Sequence, residues 1–267
     1  MPDQEDVASR LQLACRIARE AGDRTLEYFR QDGLEVQRKS DQTPVTEADR
    51  QGELLLRSRI EASFAEDGIR GEEFPVRPGT SGYEWILDPI DGTKSFVHGV
   101  PLYGTLVGVT AADSDVASLG VIYLPALGEM VYAARGQSAW YVEGDGEPRP
   151  ARVSDCGKLS DALFCTSEIA SYGDPQREAA YGQLQAAARI TRTWGDCYGY
   201  LLVATGRADL MIDPVVSDWD VAAIQPVIEE AGGVFSDWKG RRTFRRGEAI
   251  ATNRRLIDEV LTITADA

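Results

Sequence analysis

Apolar positions along the chain change their spacing twice. Val7, Leu11, Ala14, Ile17, Ala18, Ala21 and Leu26 recur every three or four residues, which predicts an amphipathic helix over about residues 5–31. Residues 34–39 read as a short strand. Pro44-Val45-Thr46 leads into a second helix, with Thr46 as N-cap, Asp49 at the third helical position and Leu55, Leu56 and Ile60 on the buried face. The chain turns around 71–74, and 78–82 is a loop. From residue 84 the pattern becomes strand-like, with β-branched, aromatic and small residues at 84–88, 103–112, 119–124, 130–134 and 139–142 broken by Gly, Pro and Asp; a largely antiparallel sheet is predicted. The polar stretch 143–148 is a candidate boundary between two lobes of one domain, 1–147 and 148–267. In the second half a strand is expected near 163–166, helices at 176–188 and 198–205, and a strand at 208–212. A helix over 220–231 ended by Gly232-Gly233, a strand at 234–236 and a helical tail over 253–261 complete the prediction.

Composition narrows the possible partners. At 267 residues and 43% hydrophobic content the chain can bury a sizeable core. Its net charge of −15 repels nucleic acid and anionic membrane. The dense basic cluster, Arg241, Arg242, Arg245 and Arg246, is read as a solvated loop face. No apolar run approaches a membrane span. The acidic start, Met1 to Asp6, has no signal-peptide pattern, so cytoplasm is the expected compartment. Cys15, Cys156, Cys165 and Cys197 are scattered without a CxxC pair, which fits reduced thiols rather than a zinc site.

The chemistry concentrates in Trp85-Ile86-Leu87-Asp88-Pro89-Ile90-Asp91-Gly92-Thr93. A buried strand ends in two aspartates, and a Gly-Thr pair follows at a helix start. Carboxylate and carbonyl oxygens suit a hard divalent cation, and N–H groups at a helix start suit phosphate. One short segment therefore offers both halves of a metal-assisted phosphate site.

Gly71-Glu72-Glu73, then Asp88-Pro89-Ile90-Asp91-Gly92-Thr93, then Trp219-Asp220 with Glu230-Ala231-Gly232-Gly233, preceded by Thr46-Glu47-Ala48-Asp49, occur in the order found in the inositol monophosphatase family. The chain resembles that family of Mg²⁺-dependent, lithium-sensitive phosphatases over most of its length. The resemblance implies an α+β fold of layered αβαβα type, with two sheets between helix layers, and a homodimer. It implies one Mg²⁺ on Glu72, Asp88 and the Ile90 carbonyl, a second on Asp88, Asp91 and Asp220, and a third, mostly water-ligated ion sharing Glu72. Two metals can clamp the attacking and leaving oxygens of an in-line displacement. Asp49 and Thr93 would orient the attacking water, Gly92 and Thr93 would bind phosphate through their N–H groups, and Lys39 would lend electrostatic support. The single histidine, His98, is then not needed as a base and is read as a loop or packing residue.

Within the family, Lys94-Ser95-Phe96 and Gly195-Asp196-Cys197-Tyr198 are similar to the histidinol-phosphate phosphatase branch. Carboxylates at Asp196, Asp213 and Asp218 would favour a substrate bearing an ammonium and an imidazole. The expected activity is hydrolysis of histidinol phosphate in histidine biosynthesis. The alternatives are an inositol-1-monophosphatase or other permissive phosphatase, a 3′(2′),5′-bisphosphate nucleotidase, whose anionic substrate an acidic pocket disfavours, and a non-catalytic metal or phosphate sensor. Completeness of the motifs argues against the sensor.

Overall fold

The computed structural model describes residues 4–39, 43–112 and 114–267. The first helix, α1 (Gln4–Leu26), precedes a two-stranded hairpin, β1 (Gln37–Arg38) and β2 (Pro44–Val45), and then α2 (Glu47–Ser63). A seven-stranded sheet follows: β3 (Gly68–Gly71), β4 (Tyr83–Asp91), β5 (Gly104–Ala111), β6 (Ala117–Leu124), β7 (Glu129–Ala134), β8 (Ala139–Glu143) and β9 (Arg149–Pro150), in spatial order, with the short α3 (Thr93–Val97) between β4 and β5. Every pairing is antiparallel except β3 with β4. The rest of the chain contains β10 (Leu163–Cys165), α4 (Pro175–Ala187), β11 (Ile190–Arg192), α5 (Cys197–Ala204), β12 (Leu210–Asp213), α6 (Asp218–Val221), α7 (Ile224–Glu230), β13 (Gly233–Ser236), β14 (Ala249–Asn253) and α8 (Ile257–Thr264). Its five strands form a mixed sheet in the order β11-β10-β12-β14-β13.

Helices cover both faces of both sheets, giving five layers. Ala14, Ile17 and Ala21 of α1 and Leu56 and Ile60 of α2 pack with Trp85, Leu87, Val107 and Val121 on one face of the large sheet. Ile86, Leu106 and Ile122, one residue out of phase, face Leu201, Ile224 and Val227 of the central helices, which also meet Met211, Phe235 and Ala251 of the small sheet. The outer face of the small sheet carries Leu184 of α4 and Val260 of α8 against Leu210 and Ile250. Because the central strands are buried on both faces, β5 and β6 read as near-continuous apolar runs rather than alternating ones.

Several elements differ from the sequence expectation. The first helix stops at Leu26, where Tyr28 and Phe29 both donate to the Thr25 carbonyl in a turn. The predicted strand at 34–39 is reduced to Gln37–Arg38. β2, β3, β9, β11 and β14 are additional, and helix resumes only at Ile257 in the tail. The helix expected over 220–231 is two helices separated by Ala222 and Ala223. Pro226 explains the break, since it has no N–H to donate to the Ala222 carbonyl.

That break rests on a flat place in the large sheet. Gly108 and Gly120 pair across β5 and β6. A Cβ on Gly120 would lie 1.9 Å from the Ala223 carbonyl oxygen, and one on Gly108 would lie 3.0 Å from the Ala223 nitrogen. Backbone cannot yield as a flexible side chain would, so Gly120→Ala should cost about 1–3 kcal/mol or more of stability. Urea denaturation measures this; an unchanged midpoint would contradict the close approach.

Candidate active site

The site is assembled at the C-terminal end of β4. Ile90 donates its N–H to Asp88 Oδ1 at 3.0 Å, which bends the chain after Asp88. The β4–β5 register shifts between Asp88 and Asp91, so both carboxylates leave the ladder close together. Thr105 Oγ1 fixes the turn by donating to the Pro89 carbonyl at 2.9 Å. Gly92, at φ 85°, then turns the chain into α3.

Three further segments converge there. The α6 capping box holds Asp220, whose Oδ2 accepts the Ser217 N–H at 2.7 Å. Asp88, Asp91 and Asp220 each offer a carboxylate oxygen within 4.8 Å of the others, among the described residues a ready cation-binding group. From the loop after β3, Glu72 reaches the same place and is held by Lys39 Nζ at 2.6 Å. Lys39 also bonds Glu73 at 2.6 Å. At the start of α2, Asp49 closes its own capping box, with Oδ2 taking Thr46 N at 2.7 Å and Thr46 Oγ1 at 2.6 Å. Its other oxygen faces Thr93 Oγ1 at 3.5 Å, and the same hydroxyl lies 3.1 Å from the Ile90 carbonyl.

These acids crowd one another in a dry place. Burial, then Glu72, Asp91, Asp220 and Asp49, push Asp88 well above the ordinary carboxylate range. Burial, Asp196 and Asp220 do the same to Asp91. Asp220 is raised to about 7, by burial and neighbouring carboxylates against the pull of the Ser217 N–H. Burial raises Glu72 against the opposing pull of Lys39. Asp49 is raised to about 6, chiefly by burial. Carboxylates this close cannot all ionise without added positive charge. An all-oxygen donor set of this kind fits a hard divalent cation.

Above the cluster opens a cleft of about 930 Å³ lined by Lys39, Glu72, Asp91, Gly92, Thr93, Lys94, Ser167, Glu168, Asp196, Tyr200, Asp213, Trp219 and Asp220, among others. Asp196 sits at φ 52°, ψ −154°, a region that only glycine occupies freely. Its N–H donates to Ser167 Oγ at 2.8 Å. The next N–H, that of Cys197, donates to Asp91 Oδ2 and so ties α5 to the cluster. Gly195 is needed because a Cβ there would meet Ser167 Cα at 2.2 Å. The Asp196 carboxylate lies against the Gly92 turn: a Cβ on Gly92 would be 2.9 Å from its Oδ2. Burial and Asp213 raise Asp196 to about 6.

The other expected residues behave differently. Asp213 reaches the cleft, but its oxygens already accept the Ser167 N–H at 3.0 Å and the Tyr200 hydroxyl at 2.8 Å. Asp218, expected at the alcohol end, does not line the cleft. It turns away to Arg245 Nη1 at 2.7 Å, a partner 27 residues along the chain. His98 is exposed and bonds the Lys94 carbonyl at 2.8 Å. Arg189 bonds the Asp161 carbonyl and Arg192 that of Thr191. The sequence reading assigned no role to Glu168, which pairs with Lys94 at 2.5 Å between α3 and the loop after β10, nor to Ser167 and Tyr200. Nothing in local spacing marks those contacts: Lys94–Glu168 joins the two halves of the chain, and Ser167 and Tyr200 meet Asp213 across the second.

The profile of the inositol monophosphatase family matches residues 6–266. The chain is 45% identical over 242 residues to a histidinol-phosphatase of Chlorobaculum parvum, covering 91% of each chain. It is 36% identical to a histidinol-phosphatase of Streptomyces coelicolor, covering 98% of this chain and 97% of that one. A solved inositol monophosphatase from Zymomonas mobilis superposes with a TM-score of 0.83 at 31% identity, over 96% of this chain and 98% of that one.

The crowding has a pH signature. Burial and the neighbouring carboxylates push Asp220 up to about 7 in the folded chain, from an ordinary 3.8. The folded state therefore holds the extra proton between those values, and the stabilising effect of protonation disappears as pH rises through about 7. Metal-free Asp220→Asn should match wild-type stability near pH 4 and exceed it by about 1–3 kcal/mol at pH 8. Thermal melts across pH decide this, and a variant less stable than wild type at pH 8 without metal would contradict it.

Proposed function

The chain belongs to the inositol monophosphatase family, and from that premise we propose that it is a Mg²⁺-dependent phosphomonoesterase that hydrolyses histidinol phosphate to histidinol and phosphate, a step of histidine biosynthesis. The observation that carries the choice of substrate is the Asp196 carboxylate, set into the same cleft as the Asp88–Asp91–Asp220 cluster and beside Gly92. It supports a phosphate ester whose organic half is cationic. The relatives named histidinol-phosphatase support the same reading.

In this reading Glu72, Asp88, the Ile90 carbonyl, Asp91 and Asp220 hold two to three Mg²⁺ ions, which when bound neutralise phosphate charge and acidify water. Gly92 and Thr93 orient the phosphate through their N–H groups, and Lys39 keeps Glu72 turned inward. When Thr93 donates its hydroxyl hydrogen to Asp49, its lone pairs become available to accept a hydrogen bond from the attacking water. Attack is direct, with no residue phosphorylated. Asp196 meets the ammonium or imidazole. Asp213, already holding two donors, shapes the pocket more than it binds, and Asp218 is left out of the substrate set. The lobes 1–147 and 148–267 act as one catalytic domain that the second lobe completes, and a cytoplasmic homodimer belongs to the same reading.

Phosphate release with Mg²⁺ should favour histidinol phosphate over inositol 1-phosphate and 3′-phosphoadenosine 5′-phosphate by about a hundredfold in kcat/KM, some 2.7 kcal/mol of transition-state stabilisation. Preference for another ester would overturn the substrate. Asp88→Asn should remove most activity with circular dichroism unchanged; near-native turnover would sink the metal assignment. Asp196→Ala should raise KM for histidinol phosphate about tenfold or more and leave inositol 1-phosphate nearly unchanged. Equal effects on both esters would remove Asp196 from the cationic subsite.

A further inference from the structure

Glu53 is a fully buried acid that the reaction does not use. It lies on α2 one turn after Asp49, so both point from the same face of that helix. Its Oε2 accepts the N–H of Glu73 at 2.7 Å. Its Oε1 accepts the N–H of Phe74 at 3.3 Å and Nε of Arg57 at 2.7 Å. Arg57 closes the ring by donating from Nη2 to the Phe74 carbonyl at 3.0 Å. The backbone just after Glu72 is thus gripped. Ahead of it, Gly71 passes so close to the Glu53 carboxylate that a Cβ would lie 2.1 Å from Oε1. Between the two acids, Gly52 lets α2 settle on the Asp88-Pro89 turn, where a Cβ would meet Pro89 Cβ at 3.0 Å.

One turn of helix therefore touches the site at three points: Asp49 faces Thr93, Gly52 faces Pro89, and Glu53 holds the loop that carries Glu72. We infer that Glu53 is a positioning residue which, with Arg57, fixes the Glu72 carboxylate against the Asp88 cluster and so sets the affinity of the site for divalent cations. This rests on the reading of Glu72 as a metal ligand. A loop left to itself would have to be ordered at the moment of ion binding; the clamp has ordered it beforehand, with two backbone N–H groups and a carbonyl satisfied inside the protein.

The test is calorimetric titration of Mn²⁺ into the full-length, metal-stripped protein. Glu53→Gln keeps the volume but turns an amide toward at least one N–H donor. Gly71→Ala displaces the same carboxylate from the other side without changing charge. Both variants should bind Mn²⁺ about 10–100-fold more weakly, and activity lost at limiting Mg²⁺ should return at saturating Mg²⁺. Wild-type Mn²⁺ affinity in a folded Glu53→Gln, with only a lower melting temperature, would reduce Glu53 to a packing role and overturn the inference. Arg57→Lys is the milder third perturbation; if none of the three folds, the clamp serves folding rather than positioning and the inference fails as well. Glu72→Gln separates the two layers. If it binds Mn²⁺ as tightly as wild type, the metal reading is wrong whatever Glu53 does. If it loses affinity while the clamp variants do not, only the present inference falls.

Discussion

The constraint on which the rest of the structure depends is repulsion among carboxylates held close together out of water. Asp88, Asp91, Asp220 and Glu72 would separate if they were free to move. Each is instead anchored by an unrelated local device: an N–H of its own turn for Asp88, the start of α5 for Asp91, a capping box for Asp220 and a lysine for Glu72. The sheets and helices supply the stiffness against which these anchors hold. Such an arrangement suits a divalent cation, because like charges kept apart from solvent are relieved by an opposite charge placed among them or by taking up protons.

The layered architecture explains where that centre lies. Asp88 and Asp91 end a strand of the large sheet, while Asp220 starts α6 in the central helix layer and Asp196 precedes α5 in the same layer. The cleft is therefore the seam between the two sheets. Its floor comes from the first half of the chain and much of its wall from the second. The paired glycines of β5 and β6 let the α6–α7 junction sink onto the large sheet, and this brings Asp220 down to Asp88.

Much of this was legible in the chain, and the exceptions share causes. The strand ending in Asp88-Pro89-Ile90-Asp91 and the Thr46 cap were readable because the signals are local and coincide with what tertiary packing demands. β3 was hidden because Gly-Ile-Arg-Gly has little strand character, and its pairing with β4 supplies the order. β14 was passed over because its five residues follow a basic loop with no alternating pattern, and its order comes from the two strands that flank it. Asp218 was misplaced because its partner, Arg245, lies in a basic loop with no local sign of where it would dock. Glu53 stood at helical spacing from Asp49, but only the fold shows that the Gly71–Phe74 loop passes beneath it.

The backbone at Asp196 has a consequence of another kind. Its φ of 52° with ψ of −154° costs an ordinary residue on the order of 1–3 kcal/mol, and glycine almost none. Aspartate and glycine codons differ by a single base, so the change that would relax this position is always one mutational step away. The strain is thus the energetic cost of keeping a carboxylate at this corner of the cleft: Asp196→Gly would relax the backbone and leave the corner without its charge.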